Sequence, residues 1–133
     1  MEKFKGLMTS LSPHWATPKG LYEKLDLEFN FDFDPCPLYS PVGYDGLTSV
    51  WGSRNFINPP YGRDIGKWIK KAYEVAQGGV LCVLLIPSRT DTKWWHDYIM
   101  KADEIRFIKG RLKFGESKNS APFPSCIAIF KGV

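Results

Sequence analysis

The sequence predicts an α/β domain built on a mostly parallel sheet that closes in a C-terminal antiparallel hairpin. Three observations carry this. Short β-branched or aromatic runs alternate with stretches of helical periodicity along the chain. Val80 to Ile86 is a continuous apolar run, as expected of a central strand buried on both faces. The last two strand-like runs are separated by a basic, Gly- and Pro-bearing segment with no helical pattern.

Taken in order, residues 1–13 carry no periodic pattern and read as a loosely held arm. Thr17 and Pro18 open a helix: Thr17 is the expected cap and Pro18 the first helical residue, where a missing N–H costs nothing. Leu21, Leu25 and Leu27 give it an apolar face. Phe29 to Asp34 alternates apolar and polar residues, a strand that Pro35 stops. Residues 36–53, rich in Pro, Gly, Ser and Tyr, read mostly as loop. Asn55 to Ile57 is a short strand that runs directly into Asn58-Pro59-Pro60-Tyr61. From Asp64 to Ala76, Ile65, Trp68, Ile69, Ala72 and Tyr73 fall at helical spacing. After the Val80–Ile86 strand, Thr90 or Asp91 caps another helix reaching Lys101. Ile105–Ile108 and Cys126–Phe130 are the last strands.

The chain has 133 residues, the size of one domain. No internal repeat, low-complexity tract or linker divides it, so 1–133 is read as a single domain. A net charge of +4 permits a polyanionic partner without demanding one. The three cysteines, Cys36, Cys82 and Cys126, form no C-x-x-C pair, and only two histidines exist. Neither a disulfide framework nor a metal site is suggested. The N-terminus lacks an apolar signal core and no run is long enough to span a membrane, which reads as cytoplasmic.

In open α/β sheets ligands bind beyond the carboxyl ends of the strands. That directs attention to three strand exits. At Asn58-Pro59-Pro60-Tyr61, two prolines immobilise the backbone, so the Pro59 carbonyl is aimed without an ordering cost. With the Asn58 side-chain oxygen it makes a pair of acceptors matched to the two hydrogens of an –NH2 group. An aromatic amine such as that of adenine is a poor nucleophile because its lone pair is delocalised. Two acceptors on its hydrogens draw the nitrogen toward tetrahedral geometry and localise that pair for attack on a methyl sulfonium. Tyr61 supplies a ring on which a base can stack. The plainer reading is a rigid turn with a buried aromatic, but a strand before and a helix after are what the chemistry requires.

At the second exit, Asp34-Pro35-Cys36, a carboxylate can accept from a cofactor amine or ribose; alone it would also read as an acidic strand end. No Gly-rich phosphate loop accompanies it, against dinucleotides or ATP and consistent with S-adenosylmethionine, which has no phosphate. The start Trp15-Ala16-Thr17-Pro18 adds a hydroxyl able to touch the same ligand. The third exit, Arg89-Thr90-Asp91-Thr92, sets Arg89 toward a phosphate or a flipped base, unless it simply pairs with a carboxylate. Trp94, Trp95 and Tyr98 read as core rather than as stacking platforms. Lys109, Arg111, Lys113 and Lys118, opposed only by Glu116, make the last inter-strand segment the best candidate for a DNA-facing loop; the plainer reading is a solvated basic hairpin.

Together these motifs resemble the phage and prophage DNA N-6-adenine methyltransferases, the Dam-like family. The resemblance runs from Trp15 to Phe130. It rests on Trp15-Ala16-Thr17-Pro18, Phe31 to Cys36, Asp45-Gly46-Leu47 with Trp51, and Asn58 to Gly62. It continues through Pro87 to Thr92, Ile105 to Gly110, Arg111-Leu112-Lys113-Phe114, and Asn119 to Ser125. It implies a reduced Rossmann-like fold, S-adenosylmethionine as methyl donor, DNA as partner and a bacterial host cell as setting. It implies that Asn58, Pro59, Pro60 and Tyr61 hold the target adenine. Trp15, Thr17, Pro18, Asp34, Pro35, Cys36 and Asp45 are then expected on the cofactor side. One departure stands out: only 24 positions separate Asp34 from Asn58, where larger methyltransferases fit two further strand–helix units that grip the adenosine. Either the cofactor binds weakly or a second subunit completes the pocket, and so small a domain on duplex DNA suits a homodimer. Two other readings share these motifs: an amino-group methyltransferase acting on RNA or protein glutamine, and a DNA-binding relative that has lost catalysis.

Overall fold

A computed structural model describes residues 16–115 and 119–132. The expected arm over 1–13, and the candidate residues Trp15 and Lys118, lie outside the described residues. The described elements are α1 (Lys19–Phe29), β1 (Arg54–Ile57), α2 (Ile65–Gln77), β2 (Leu81–Pro87), α3 (Lys93–Asp97), a 3-10 turn (Ile99–Lys101), β3 (Glu104–Phe107) and β4 (Ser125–Phe130).

The four strands form one sheet in the order β1-β2-β4-β3. The expectation of a mostly parallel sheet is corrected: it is mixed. β1 pairs parallel with β2, while β4 pairs antiparallel with both β2 and β3. The α2 crossover explains the parallel pair, since parallel neighbours need a long connection. β3 runs in the same sense as β2 but two places away, and β4 returns between them. One inserted strand therefore turns two of the three pairings antiparallel. The closing β3–β4 hairpin is present as expected.

Layers cover both faces. Alternation along β1 and β2 sends Ile57, Leu84 and Ile86 toward α2, α3 and the 3-10 turn, where they meet Ile69, Ala72, Trp95 and Ile99. Phe56, Val83 and Leu85 go the other way, toward Leu25 of α1 and Phe114, Ala121 and Phe123 of the segment before β4. Every residue of β4 is buried; each such aliphatic side chain contributes roughly 1.5–3 kcal/mol. The buried polar residue Asn55 is fully satisfied. Its Oδ1 accepts from Gly52 N at 2.8 Å, and its Nδ2 donates to Gly52 O (2.9 Å) and Leu81 O (3.1 Å), so burial costs it little.

Several local expectations change. Thr17 does not cap α1: the cap position is Pro18, without a side-chain bond. Leu27 lies 88% exposed, because the apolar stripe of so short a helix is narrow and centres on Leu25. The expected strand over 29–34 shrinks to a single parallel bridge, Phe33 to Asn55. Phe29 belongs to α1, and Asn30 ends that helix at φ 54°, a left-handed turn that Asn tolerates. Too few residues then remain before buried Pro35 to build a ladder. Neither Thr90 nor Asp91 caps α3. Thr92 does, its Oγ1 accepting from Trp95 N at 3.2 Å, and the helix breaks into the 3-10 turn before Lys101.

Candidate active site

Asn58 leaves β1 at its carboxyl end, 2% exposed. Its Nδ2 donates to Thr17 Oγ1 at 3.0 Å. The hydroxyl expected to cap α1 thus holds the amide across the gap between helix and strand, and this orients Oδ1 as the acceptor end of the side chain.

Thr17 and Asn58 line a cavity of about 530 Å³ together with Lys19, Tyr22, Asp34 and Phe56. It lies on the α1 side of the sheet. The Asp34 Oδ1 accepts from Cys36 N at 2.9 Å, the short turn allowed by the buried Pro35 between them. Burial pushes the Asp34 carboxyl up to about 6, only partly offset by that hydrogen bond. The site thus holds a carboxyl that lacks a cationic partner strong enough to keep it in the ordinary range. Burial likewise raises the Cys36 thiol to about 12, which keeps it protonated and unreactive.

Tyr61 sits at the other end of the motif and touches both core layers. Its hydroxyl donates to Leu85 O at 3.3 Å. Its half-buried ring meets Phe114 and Phe123 edge-to-face, with centroids 6.1 and 5.4 Å away. It borders a second cavity of about 310 Å³, shared with Gly62, Pro87, Arg89, Thr92 and Trp94. Gly62 adopts φ +113°, a conformation that turns the chain from the rigid prolines into α2 and that side-chain-bearing residues rarely take. The two cavities lie beyond the carboxyl ends of β1 and β2, and Asn58 to Tyr61 runs from one to the other.

The exposed Arg89 makes no ion pair among the described residues; its guanidinium lies 5.8 Å from the Phe123 ring centre. Lys109, Arg111 and Lys113 are all exposed, on the segment whose Phe114 and Phe123 clasp Tyr61. That segment is tied to the first cavity too, Gly115 N donating to Ala16 O at 2.8 Å. Asp45 stands apart from both cavities: its Oδ1 accepts from Leu47 N at 2.9 Å and builds the 45–49 turn.

The parts that three positions play escaped the sequence reading. Gly46 is one: a Cβ there would stand 2.0 Å from Pro35 O and 2.6 Å from the Trp68 ring. Its carbonyl accepts from Trp51 Nε1 at 2.8 Å, so the shortened 36–53 segment is locked against α2. Arg63, directly after Gly62, is an exposed cation beside the second cavity. Trp94, expected in the core, is half-buried: it packs against the core under α2 and also lines that cavity.

Among the described residues no helix is long and apolar enough to cross a membrane. A family model described as DNA N-6-adenine-methyltransferase (Dam) matches residues 6–129. The DNA N-6-adenine-methyltransferase of Haemophilus phage HP1 (strain HP1c1) is 25% identical over 134 residues, covering 88% of this chain and 78% of the phage protein. No solved structure matches the chain.

Proposed function

The chain belongs to the DNA N-6-adenine-methyltransferase (Dam) family, and from that premise we propose how its residues methylate the N6 amine of adenine in DNA. The observation that carries the reading is the span of Asn58 to Tyr61 between two cavities: one beside a buried carboxyl, the other beside Tyr61 and Arg89.

The first cavity suits S-adenosylmethionine. That donor is cationic at both its sulfonium and its amine, and the raised Asp34 carboxyl is the group that a nearby cation would return to its charged form. Tyr22, backed edge-to-face by buried Phe56, offers a ring to a cation or a purine, and Lys19 stands at the rim for a carboxylate. When bound, the cofactor supplies an activated methyl group on sulfur.

The target adenine enters by base flipping at the Asn58–Tyr61 exit, its amine toward Asn58 on the first cavity and its ring toward Tyr61 on the second. The Asn58 Oδ1 and the Pro59 carbonyl accept its two N–H groups, and Thr17 keeps the Asn58 amide in that orientation. Pro59 and Pro60 hold both acceptors without reorganisation, so their effect falls on the transition state. No general base is demanded before transfer, because the amine proton becomes acidic only as the new N–C bond forms at the expense of the donor's S–CH3 bond, and it is then released to water. Tyr61, wedged by Phe114 and Phe123, walls the base cavity, and Arg89 is placed for a phosphate or the base edge.

The test supplies labelled S-adenosylmethionine and unmethylated duplex DNA, followed by digestion to nucleosides. Label in N6-methyladenine is expected from the wild type, with about a 10²–10³-fold loss in Asn58→Ala. An Asn58→Ala variant that methylates at the wild-type rate would sink the mechanism.

A further inference from the structure

We infer that Trp94, with Lys67, Lys70 and Lys93 around it, forms a track that takes an unpaired stretch of the DNA strand leading away from the base cavity. This rests on the reading above, because it makes the track a continuation of the site where the adenine is held.

Trp94 is the residue common to two cavities. On one side it walls the base cavity beside Arg89 and Gly62. On the other it walls an apolar groove of about 340 Å³ along α2 and α3, bordered by Lys67, Lys70, Lys93, Asp97 and Tyr98. Its neighbour Trp95 is 3% exposed and lies within the core, whereas Trp94 packs on the core's edge and leaves part of its ring to the two cavities. The Trp94 indole is held firmly. Gly66 has no side chain, and the space a Cβ would need lies 3.6 Å from Trp94 Cδ1, so the ring lies close over the helix backbone. Trp95 abuts it with ring centres 6.1 Å apart. A rigid, partly exposed aromatic anchored on the core beside a ligand cavity is able to serve as a stacking platform.

The charges fit the same occupant. A single strand offers alternating flat apolar rings and phosphates, and proteins that bind it combine aromatic platforms with a cationic groove. Lys70 is exposed and makes no ion pair among the described residues. Lys67 lies 3.4 Å from Asp64, and Lys93 pairs with Asp97; exposed pairs of this kind are weak and exchange readily for a phosphate. Asp97 is the one opposing charge in the groove. Arg63 and Arg89 extend the cationic line to the mouth of the base cavity.

The experiment uses the full chain. Affinity for a fluorescent single-stranded oligonucleotide and for its duplex is measured by anisotropy at two salt concentrations. The DNA KM of methyl transfer and the affinity for S-adenosylhomocysteine are measured alongside. For Trp94→Ala we expect single-strand affinity to fall about tenfold and the DNA KM to rise similarly, with Trp94→Phe keeping most of both. For Lys70→Glu we expect about a fivefold loss and a shallower salt dependence, by about one phosphate contact. S-adenosylhomocysteine affinity should not move in any of them. Unchanged single-strand affinity and DNA KM in Lys70→Glu and Trp94→Ala overturn the inference; if Trp94→Ala does not fold, Lys70→Glu decides. A loss confined to duplex binding also overturns it. Failure of the underlying reading shows separately, as a wild type that puts no methyl group on adenine.

Discussion

Thr17 Oγ1 and Asn58 Nδ2 lie 3.0 Å apart, a hydrogen bond between the start of the first helix and the exit of the first strand. It relieves Asn58 of rotational freedom at the point where the proposed mechanism uses the amide as an acceptor. Thr17→Val keeps the shape and removes the partner. The expected result is about a tenfold fall in kcat with DNA KM little changed, at a stability cost of about 1 kcal/mol. Thr17→Ser should restore both, and steady-state kinetics on the three proteins would check it.

Asp34 carries a pH signature with two opposite signs. Its carboxyl is raised from 3.8 to about 6 in the folded chain, so the folded state binds the proton more tightly than the unfolded one. Its contribution to stability is fully present below the ordinary value and is lost as pH rises through about 6. Cofactor affinity runs the other way, since the charged form is the one that meets a cation. Calorimetry with S-adenosylhomocysteine should show constant affinity above pH 7, falling toward tenfold per pH unit below about 6. Asp34→Asn should bind weakly at every pH, and its melting temperature should vary less between pH 4 and 6.

Gly46→Ala should damage the fold. Its Cβ would meet the Pro35 carbonyl and the Trp68 ring, and backbone cannot yield as a flexible side chain would. A loss of about 1–3 kcal/mol is expected, read by urea denaturation, with cofactor affinity falling because Pro35 carries Asp34 with it.

Tyr61→Phe tests whether the hydroxyl has a chemical role. It donates to Leu85 O, a structural bond, so about 0.5–1.5 kcal/mol of stability should go while kcat stays within a few-fold. Tyr61→Ala removes the ring that Phe114 and Phe123 clasp and should abolish transfer. A large kcat loss in the Phe variant would show that the hydroxyl takes part in the reaction.

Lys109, Arg111 and Lys113 are exposed on the segment that embraces Tyr61. Replacing all three by Ala should flatten the plot of log affinity against log salt for duplex DNA by about 2–3 units. Identical slopes would place the DNA elsewhere on the surface.

The parts of this protein legible from sequence were those set by local chemistry. The apolar run that became β2, the spacing that became α2, and the strand exit at Asn58 to Tyr61 all appear where the residue pattern puts them. So does the closing hairpin. Less legible were features that depend on counting hydrogen bonds between distant segments: the single bridge at Phe33, the break of α3 after Asp97, and the cap at Thr92. Asp45 looked chemical because it stands in a motif, yet its carboxylate serves a turn. Gly46 and Trp51 beside it are the residues that lock the short segment in place.

By itself, then, the sequence determined the family and which residues are candidates for the chemistry, because an amide before two prolines and a carboxylate before a third are stiff and polar wherever they stand. Only the tertiary structure decided that Thr17 serves Asn58 rather than its own helix, and that β4 enters the middle of the sheet. It alone set two cavities at the ends of one motif and placed Trp94 between the core and the second of them. These are outcomes of packing, in which a side chain takes the partner that burial brings near, and the linear order of residues does not record which partner that is.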